Sequence, residues 1–89
     1  MQNARRIEWL ARNPIREVCG SRISRRMFAT ALGMCYPSLD NWECGVNLPR
    51  PSAKGLDQLL VRMGITFEQL VARLAAWKAD QPDLLANND

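Results

Sequence analysis

Residues 24–49, SRRMFATALGMCYPSLDNWECGVNLP, carry the pattern that decides the fold of this chain. Ser24 is a favourable N-cap for a short helix, and Gly33 can end that helix in the left-handed conformation. A tight turn follows, and Pro37 suits the first turn of another short helix that continues to about residue 43. The stretch therefore predicts two short helices joined by a turn that begins with glycine.

Apolar residues in this stretch stand where the two helices must touch. Phe28, Ala29 and Leu32 would form the inward face of the first helix, and the small Ala29 would allow a close crossing. Leu39 and Trp42 lie three residues apart and would hold the second helix against the core. This packing would leave the N-terminal end of the second helix protruding, and a helix of that width fits the major groove of DNA.

The segment before this stretch also predicts helix, and no alternation of apolar and polar residues in the chain predicts a strand. A helix that begins near Ala4 would direct Ile7 and Leu10 inward at helical spacing. Asn13 can cap and Pro14 suits a first helical position, so the helix would be interrupted there, and a second turn or a kinked continuation would run to about Cys19, where Gly20 ends it.

Two more helices are predicted after residue 51. Ser52 would cap a fourth helix, which Gly64 would end. Thr66 and Gln69 form a capping-box pattern that opens a fifth helix over residues 67–79. The sequence therefore predicts an all-α, compact five-helix bundle that contains a helix-turn-helix.

Positive charge is concentrated in the first part of the chain. Residues 1–54 carry nine Lys or Arg against four Asp or Glu, and residues 55–89 carry three against five. The 89 residues together have a net charge of +3. Such a distribution is expected where one face of a protein meets a polyanion, although a solvated basic surface without a partner would have the same composition.

The cysteine and histidine content argues against several kinds of site. The chain has three cysteines, no Cys-x-x-Cys pair and no histidine, so we expect reduced thiols that pack as small apolar residues and no metal site. No catalytic motif is present, and we expect neither an enzyme nor a cofactor. No apolar run approaches the roughly 20 residues that span a bilayer, so we expect a cytoplasmic protein with no membrane partner and no small-molecule ligand.

The pattern FAxxLG at residues 28–33, followed by LxxWExGxxxP at residues 39–49, resembles the Cro/C1-type (lambda-repressor-like) helix-turn-helix of phage and plasmid repressors. The chain is also similar to small plasmid repressors of the KorC kind. The resemblance covers roughly residues 14–75. It implies a DNA-binding domain over residues 1–79, with residues 80–89 as a C-terminal tail.

The resemblance also implies roles for individual positions. Arg16 would pair with Glu43, and this pair would be structural together with Trp42 and Gly33. The residues expected to read bases are Tyr36, Pro37, Ser38 and Asn41. The residues expected to contact DNA phosphates are Arg25, Arg26, Asn47, Arg50 and Lys54. The alternatives are an ordinary solvated helix start at Arg25 and Arg26, a turn cap at Tyr36 and an exposed polar residue at Asn41.

The fifth helix is longer than a helix-turn-helix core needs. Its apolar positions Leu70, Leu74 and Trp77 predict an interface between two copies of the chain, because exposed apolar residues are a liability on a small protein. Such a homodimer would set two recognition helices about 34 Å apart, one turn of DNA. Alternatively, Trp77 would fold back onto its own domain beside Trp9.

These features together predict a sequence-specific, double-stranded DNA-binding transcriptional repressor that acts as a homodimer on a palindromic operator. The alternative function is an antitoxin-like protein that binds DNA and also a protein toxin. Its toxin-binding segment would be the part of the chain after Lys78.

Overall fold

The computed structural model describes residues 2–20 and 22–82, and the regular secondary structure in these ranges is entirely helical. The helices in chain order are α1 (Gln2–Ala11), α2 (Pro14–Cys19), α3 (Arg25–Leu32), α4 (Tyr36–Cys44), α5 (Leu56–Met63) and α6 (Phe67–Ala79). The all-α prediction is confirmed for the described residues, which form six helices in place of five. No helix in the described ranges combines the length and apolarity needed to cross a membrane.

Two parts of the predictions fall outside the described residues. Residues 83–89 make up most of the predicted tail, and of the segment that the antitoxin-like alternative would use. Ser21, in the loop between α2 and α3, is also outside the description.

Asn13 explains why the predicted first helix is two helices. Its side-chain oxygen accepts hydrogen bonds from the backbone N–H of Ile15 at 2.8 Å and of Arg16 at 3.4 Å, and Pro14 occupies the first turn of α2. Asn13 is fully buried, and its amide nitrogen donates to the backbone oxygen of Trp42 at 3.2 Å. The residue that starts α2 therefore also joins α2 to the C-terminal end of α4.

The predicted pair of short helices is confirmed as α3 and α4. Ser24 caps α3 by accepting a hydrogen bond from the backbone N–H of Met27 at 3.1 Å. Gly33 ends α3 with φ of 75°, which is the left-handed conformation that the turn requires. The inward-facing residues of the two helices are all buried, namely Phe28, Ala29, Leu32, Leu39 and Trp42. Trp42 is thus a core residue, as predicted.

Trp9 and Trp77 form the contact between the first and last helices. Their rings are stacked with centroids 4.1 Å apart and planes within 2° of parallel. Gly45, which ends α4 with φ of 79°, lies against this pair. A Cβ at Gly45 would stand 3.2 Å from Cη2 of Trp9 and 3.3 Å from Cζ3 of Trp77, so a side chain there would force the rings to move.

The predicted homodimer interface on α6 is wrong. Leu70, Leu74 and Trp77 are only 0%, 1% and 7% exposed within a single chain, so they have no surface to offer to a second copy. The physical reason is that α1 covers α6 through Trp9, which is itself fully buried. The alternative arrangement, in which Trp77 packs beside Trp9, is the one found.

Two local predictions also need correction. Ile7 was expected to face inward on α1, but it is 64% exposed, because the buried face of α1 is the one that carries Trp9. Ser52 was expected to cap the helix after the proline-rich segment. That helix, α5, starts at Leu56 after Gly55, because residues 51–55 form turns instead of a first helical turn.

Candidate nucleic-acid interface

Helix α4 presents two different faces. Leu39 and Trp42 are buried in the core, whereas Pro37 and Ser38 are exposed at the N-terminal end of the helix. Two further predicted base-reading residues, Tyr36 and Asn41, are half-buried. Pro37 and Ser38 therefore lie on the outer face of α4, and Tyr36 and Asn41 lie between this face and the core.

A cleft of about 320 Å³ lies between α4 and the loop at residues 45–55. Five predicted DNA-contacting residues line it, namely Ser38, Asn41, Asn47, Arg50 and Lys54. The loop side of the cleft is exposed at Asn47, Arg50 and Lys54. The structure thus brings polar side chains from a helix face together with two cations from the loop that follows this helix.

Three other residues of the cleft carry polar or sulfur atoms that the sequence analysis did not assign to a site. Ser52, expected as a helix cap, lines the cleft instead. Cys35 occupies the N-cap position of α4, makes no capping hydrogen bond and is exposed. Met34, also in the wall, is buried. Pro49 and Pro51 do not suit a helix interior, but no local pattern in the sequence indicated that this loop would fold back beside α4.

Glu43 pairs with Arg25 and not with Arg16, so the predicted pair is wrong. Glu43 is fully buried, and both of its carboxylate oxygens accept from one guanidinium. Nε of Arg25 donates to Oε1 at 2.7 Å, and Nη2 donates to Oε2. Because Arg25 occupies both oxygens, Arg16 is left outside the pair, and its Nε is buried without a hydrogen-bond partner.

This pairing changes the role of Arg25. Burial opposes the charged form of its guanidinium, but the hydrogen bonds and the attraction to Glu43 outweigh burial and raise the pKa of Arg25. A planar guanidinium that meets a carboxylate in bidentate fashion is held in one orientation. The Arg25 side chain, which was expected to contact DNA phosphate, is therefore bound within the protein and ties the start of α3 to the end of α4.

The side chain of Arg26, the next residue, contacts an aromatic ring instead of a carboxylate. Its Cζ lies 4.5 Å from the centroid of the Tyr36 ring, so the guanidinium lies over the ring of the first residue of α4. Arg26 is exposed, whereas Tyr36 packs in part against the core. The sequence placed both residues at a DNA-contacting surface but gave no sign that they touch each other.

Asp40 contributes a negative charge to the same helix. It is half-buried, and its Oδ1 accepts a hydrogen bond from the Sγ of Cys44 at 3.6 Å. Burial first, and then the negative charge of Asp40, raises the pKa of the Cys44 thiol. The negative charge of Asp40 would repel a phosphate, so this residue opposes anion binding at its part of α4.

The three cysteines are all free thiols in different surroundings. Cys19 is buried, Cys44 is half-buried and Cys35 is exposed. The expectation that all three pack as small apolar residues holds for Cys19 and is wrong for Cys35. Burial raises the pKa of the Cys19 thiol, which keeps it protonated near neutral pH.

Comparisons of the chain with models of known families, with curated proteins and with solved structures found no match. The arguments for a function therefore come from the geometry of α4 and its cleft.

Proposed function

We propose that the protein is a sequence-specific, double-stranded DNA-binding transcriptional repressor that acts as a homodimer on a palindromic operator. The observation that carries this proposal is the cleft beside α4, where Ser38 and Asn41 lie next to Asn47, Arg50 and Lys54. Amide and hydroxyl groups on a protruding helix can read base edges in the major groove, while neighbouring cations hold the phosphates.

The chemistry of the surface supports DNA as the partner. Asn41 offers an amide that can bond an adenine edge in bidentate fashion. Arg26, Arg50 and Lys54 are exposed, and each can neutralise a phosphate with release of counterions. The resemblance to Cro/C1-type, lambda-repressor-like domains belongs to this proposal, and so does a cytoplasmic location, where such a protein would meet its operator.

A homodimer is part of the proposal because α4 is short. A helix of nine residues can read only a few base pairs, and two copies related by symmetry double both the site and the phosphate contacts. Since Leu70, Leu74 and Trp77 are buried within one chain, a dimer must use other residues.

Selection of binding sites from a pool of random duplex DNA tests the proposal. We expect enrichment of a palindromic sequence whose affinity for the protein falls by orders of magnitude between low and moderate salt. Arg50→Gln should weaken binding to every duplex, whereas Arg73→Gln, which removes the same charge from α6 outside the cleft, should have little effect. Failure to enrich any sequence, or equal losses from the two variants, would argue against the proposal.

A further inference from the structure

Arg26 and Tyr36 meet at the point where the turn after α3 leads into α4. The 4.5 Å separation of Cζ and ring centroid places the guanidinium over the ring face. Within residues 2–20 and 22–82, the Arg26 side chain has no carboxylate partner, in contrast to Arg25, which is bound to Glu43. The Tyr36 ring is therefore the group that orients Arg26, and Arg26 covers the solvent side of a half-buried ring.

A stacked guanidinium keeps its hydrogen-bonding capacity. Its five N–H donors lie in the plane of the group and point outward from its edge, while the flat face rests on the ring. Arg26 can thus stay in contact with Tyr36 and donate to a phosphate oxygen at the same time. Lysine has the same charge but no flat face, so it cannot hold the ring in this way.

We propose that Arg26 is a positioning residue for Tyr36. The guanidinium of Arg26 lies over the Tyr36 ring and fixes it at the start of α4, while the N–H groups at the edge of the guanidinium bind a DNA phosphate. The base preference at Tyr36 therefore depends on Arg26. This inference rests on the proposed function and adds to it a coupling between a phosphate contact and a base-reading residue. The core holds only one side of the Tyr36 ring, which is half-buried, so Arg26 supplies a contact on a side that the core does not cover.

The first test needs no DNA. In nuclear magnetic resonance spectra of the free protein, the ring current of Tyr36 should shift the side-chain protons of Arg26 upfield. Tyr36→Leu should abolish the shift and Tyr36→Phe should keep it. Unshifted Arg26 protons in the wild type would overturn the inference and leave the proposed function standing.

The second test measures discrimination between the preferred operator and duplexes with single base changes. Arg26→Lys should keep the salt dependence of binding but lose about 2- to 5-fold in discrimination at the base read by Tyr36, the size expected for an exposed cation–π contact. The double variant Arg26→Lys, Tyr36→Leu should discriminate no worse than Tyr36→Leu alone. Arg73→Lys, the same exchange at an exposed residue of α6 outside the cleft, should leave discrimination unchanged.

The outcomes separate the two ideas. Additive losses from Arg26→Lys and Tyr36→Leu, or full discrimination by Arg26→Lys, would overturn the coupling while DNA binding stands. A wild-type protein that shows no salt-dependent preference for any duplex would overturn the proposed function, and the inference with it, even if the upfield shift is present. If Tyr36→Leu fails to fold by circular dichroism, the upfield shift in the wild type and the discrimination of Arg26→Lys still decide the inference.

Discussion

Trp9 and Trp77, which are 68 positions apart, each donate an indole N–H to the backbone oxygen of the other. The two hydrogen bonds measure 2.7 Å and 2.6 Å, and the rings stack in parallel between them. Burying an indole N–H without a partner would cost free energy, so the reciprocal arrangement lets both tryptophans enter the core fully satisfied. Helices α1 and α6 are fastened to each other by this pair.

The tryptophan pair should dominate stability. Trp77→Ala should lower the free energy of unfolding by about 3–5 kcal/mol, because it leaves a cavity beside Trp9 and removes the indole donor to the backbone oxygen of Trp9. Ile7→Ala, a control on the exposed face of α1, should change it by less than about 0.5 kcal/mol. Urea denaturation followed by circular dichroism measures both. A Trp77→Ala protein as stable as the wild type would contradict the packing described.

A related prediction concerns Leu74→Asp. Because Leu74 is buried within a single chain, the substituted carboxylate would be placed in the core, and the chain should unfold. If α6 were instead a subunit interface, the same substitution would give a folded monomer. Sedimentation equilibrium combined with circular dichroism distinguishes the two results.

The ion pair between Arg25 and Glu43 should be structural. Arg25→Ala should lower the free energy of unfolding by about 3–5 kcal/mol, since it leaves a fully buried carboxylate without its partner. Replacing both residues, as in Arg25→Met with Glu43→Leu, should restore much of this loss. Arg16→Ala is the matched control and should cost less. A larger loss from Arg16→Ala would restore the pairing first expected from sequence.

The thiols should differ in reactivity. Thiolates are the reactive form, and burial raises the pKa of Cys19 and of Cys44, so both should alkylate slowly near pH 8 and faster as the pH rises. Cys35 is exposed and should be the single rapidly modified thiol. Mass spectrometry after timed iodoacetamide treatment, with Cys35→Ser as control, measures the order in which the thiols react.

Since Cys35 lines the cleft, operator DNA should slow its alkylation, and an unchanged rate with saturating DNA would speak against binding there.

Asn41 and Arg50 should affect DNA binding in different ways. Asn41→Ala should cost about 1–3 kcal/mol on the preferred operator and almost nothing on unrelated duplexes, because it removes contacts to base edges. Arg50→Gln should weaken binding to the operator and to unrelated duplexes alike, and should reduce the slope of log affinity against log salt concentration by about one. Fluorescence anisotropy at several salt concentrations separates these patterns. Equal losses on both duplexes from Asn41→Ala would assign Asn41 to the phosphate backbone or to the fold.

Local signals in the sequence were sufficient for several elements. The bounds of α3 follow from a capping serine and a terminal glycine, and α6 follows from the capping box that Thr66 and Gln69 form in the structure. These signals are reliable because the hydrogen bonds that start and end a helix involve residues only a few positions apart. The start of α5 was missed because Ser52 has the chemistry of a cap but lies in a turn.

Contacts between distant residues were beyond the reach of local patterns. Periodicity indicated that Leu74 and Trp77 need cover, but it could not say whether α1 or a second chain supplies that cover. Likewise, the sequence indicated that the Glu43 carboxylate needs a positively charged partner, and several arginines could supply one. Which of them meets the carboxylate depends on how α3 crosses α4, and only the folded chain decides that.

The placement of Gly45 against the tryptophan pair has a consequence for how the domain opens. Since Gly45 ends α4 and contacts both rings, neither α1 nor α6 can detach without exposing the end of α4 to water. The backbone amides of these three segments should therefore exchange with deuterium at similar slow rates, as one cooperative unit. The outer face of α4 would then be presented by the most persistently folded part of the chain.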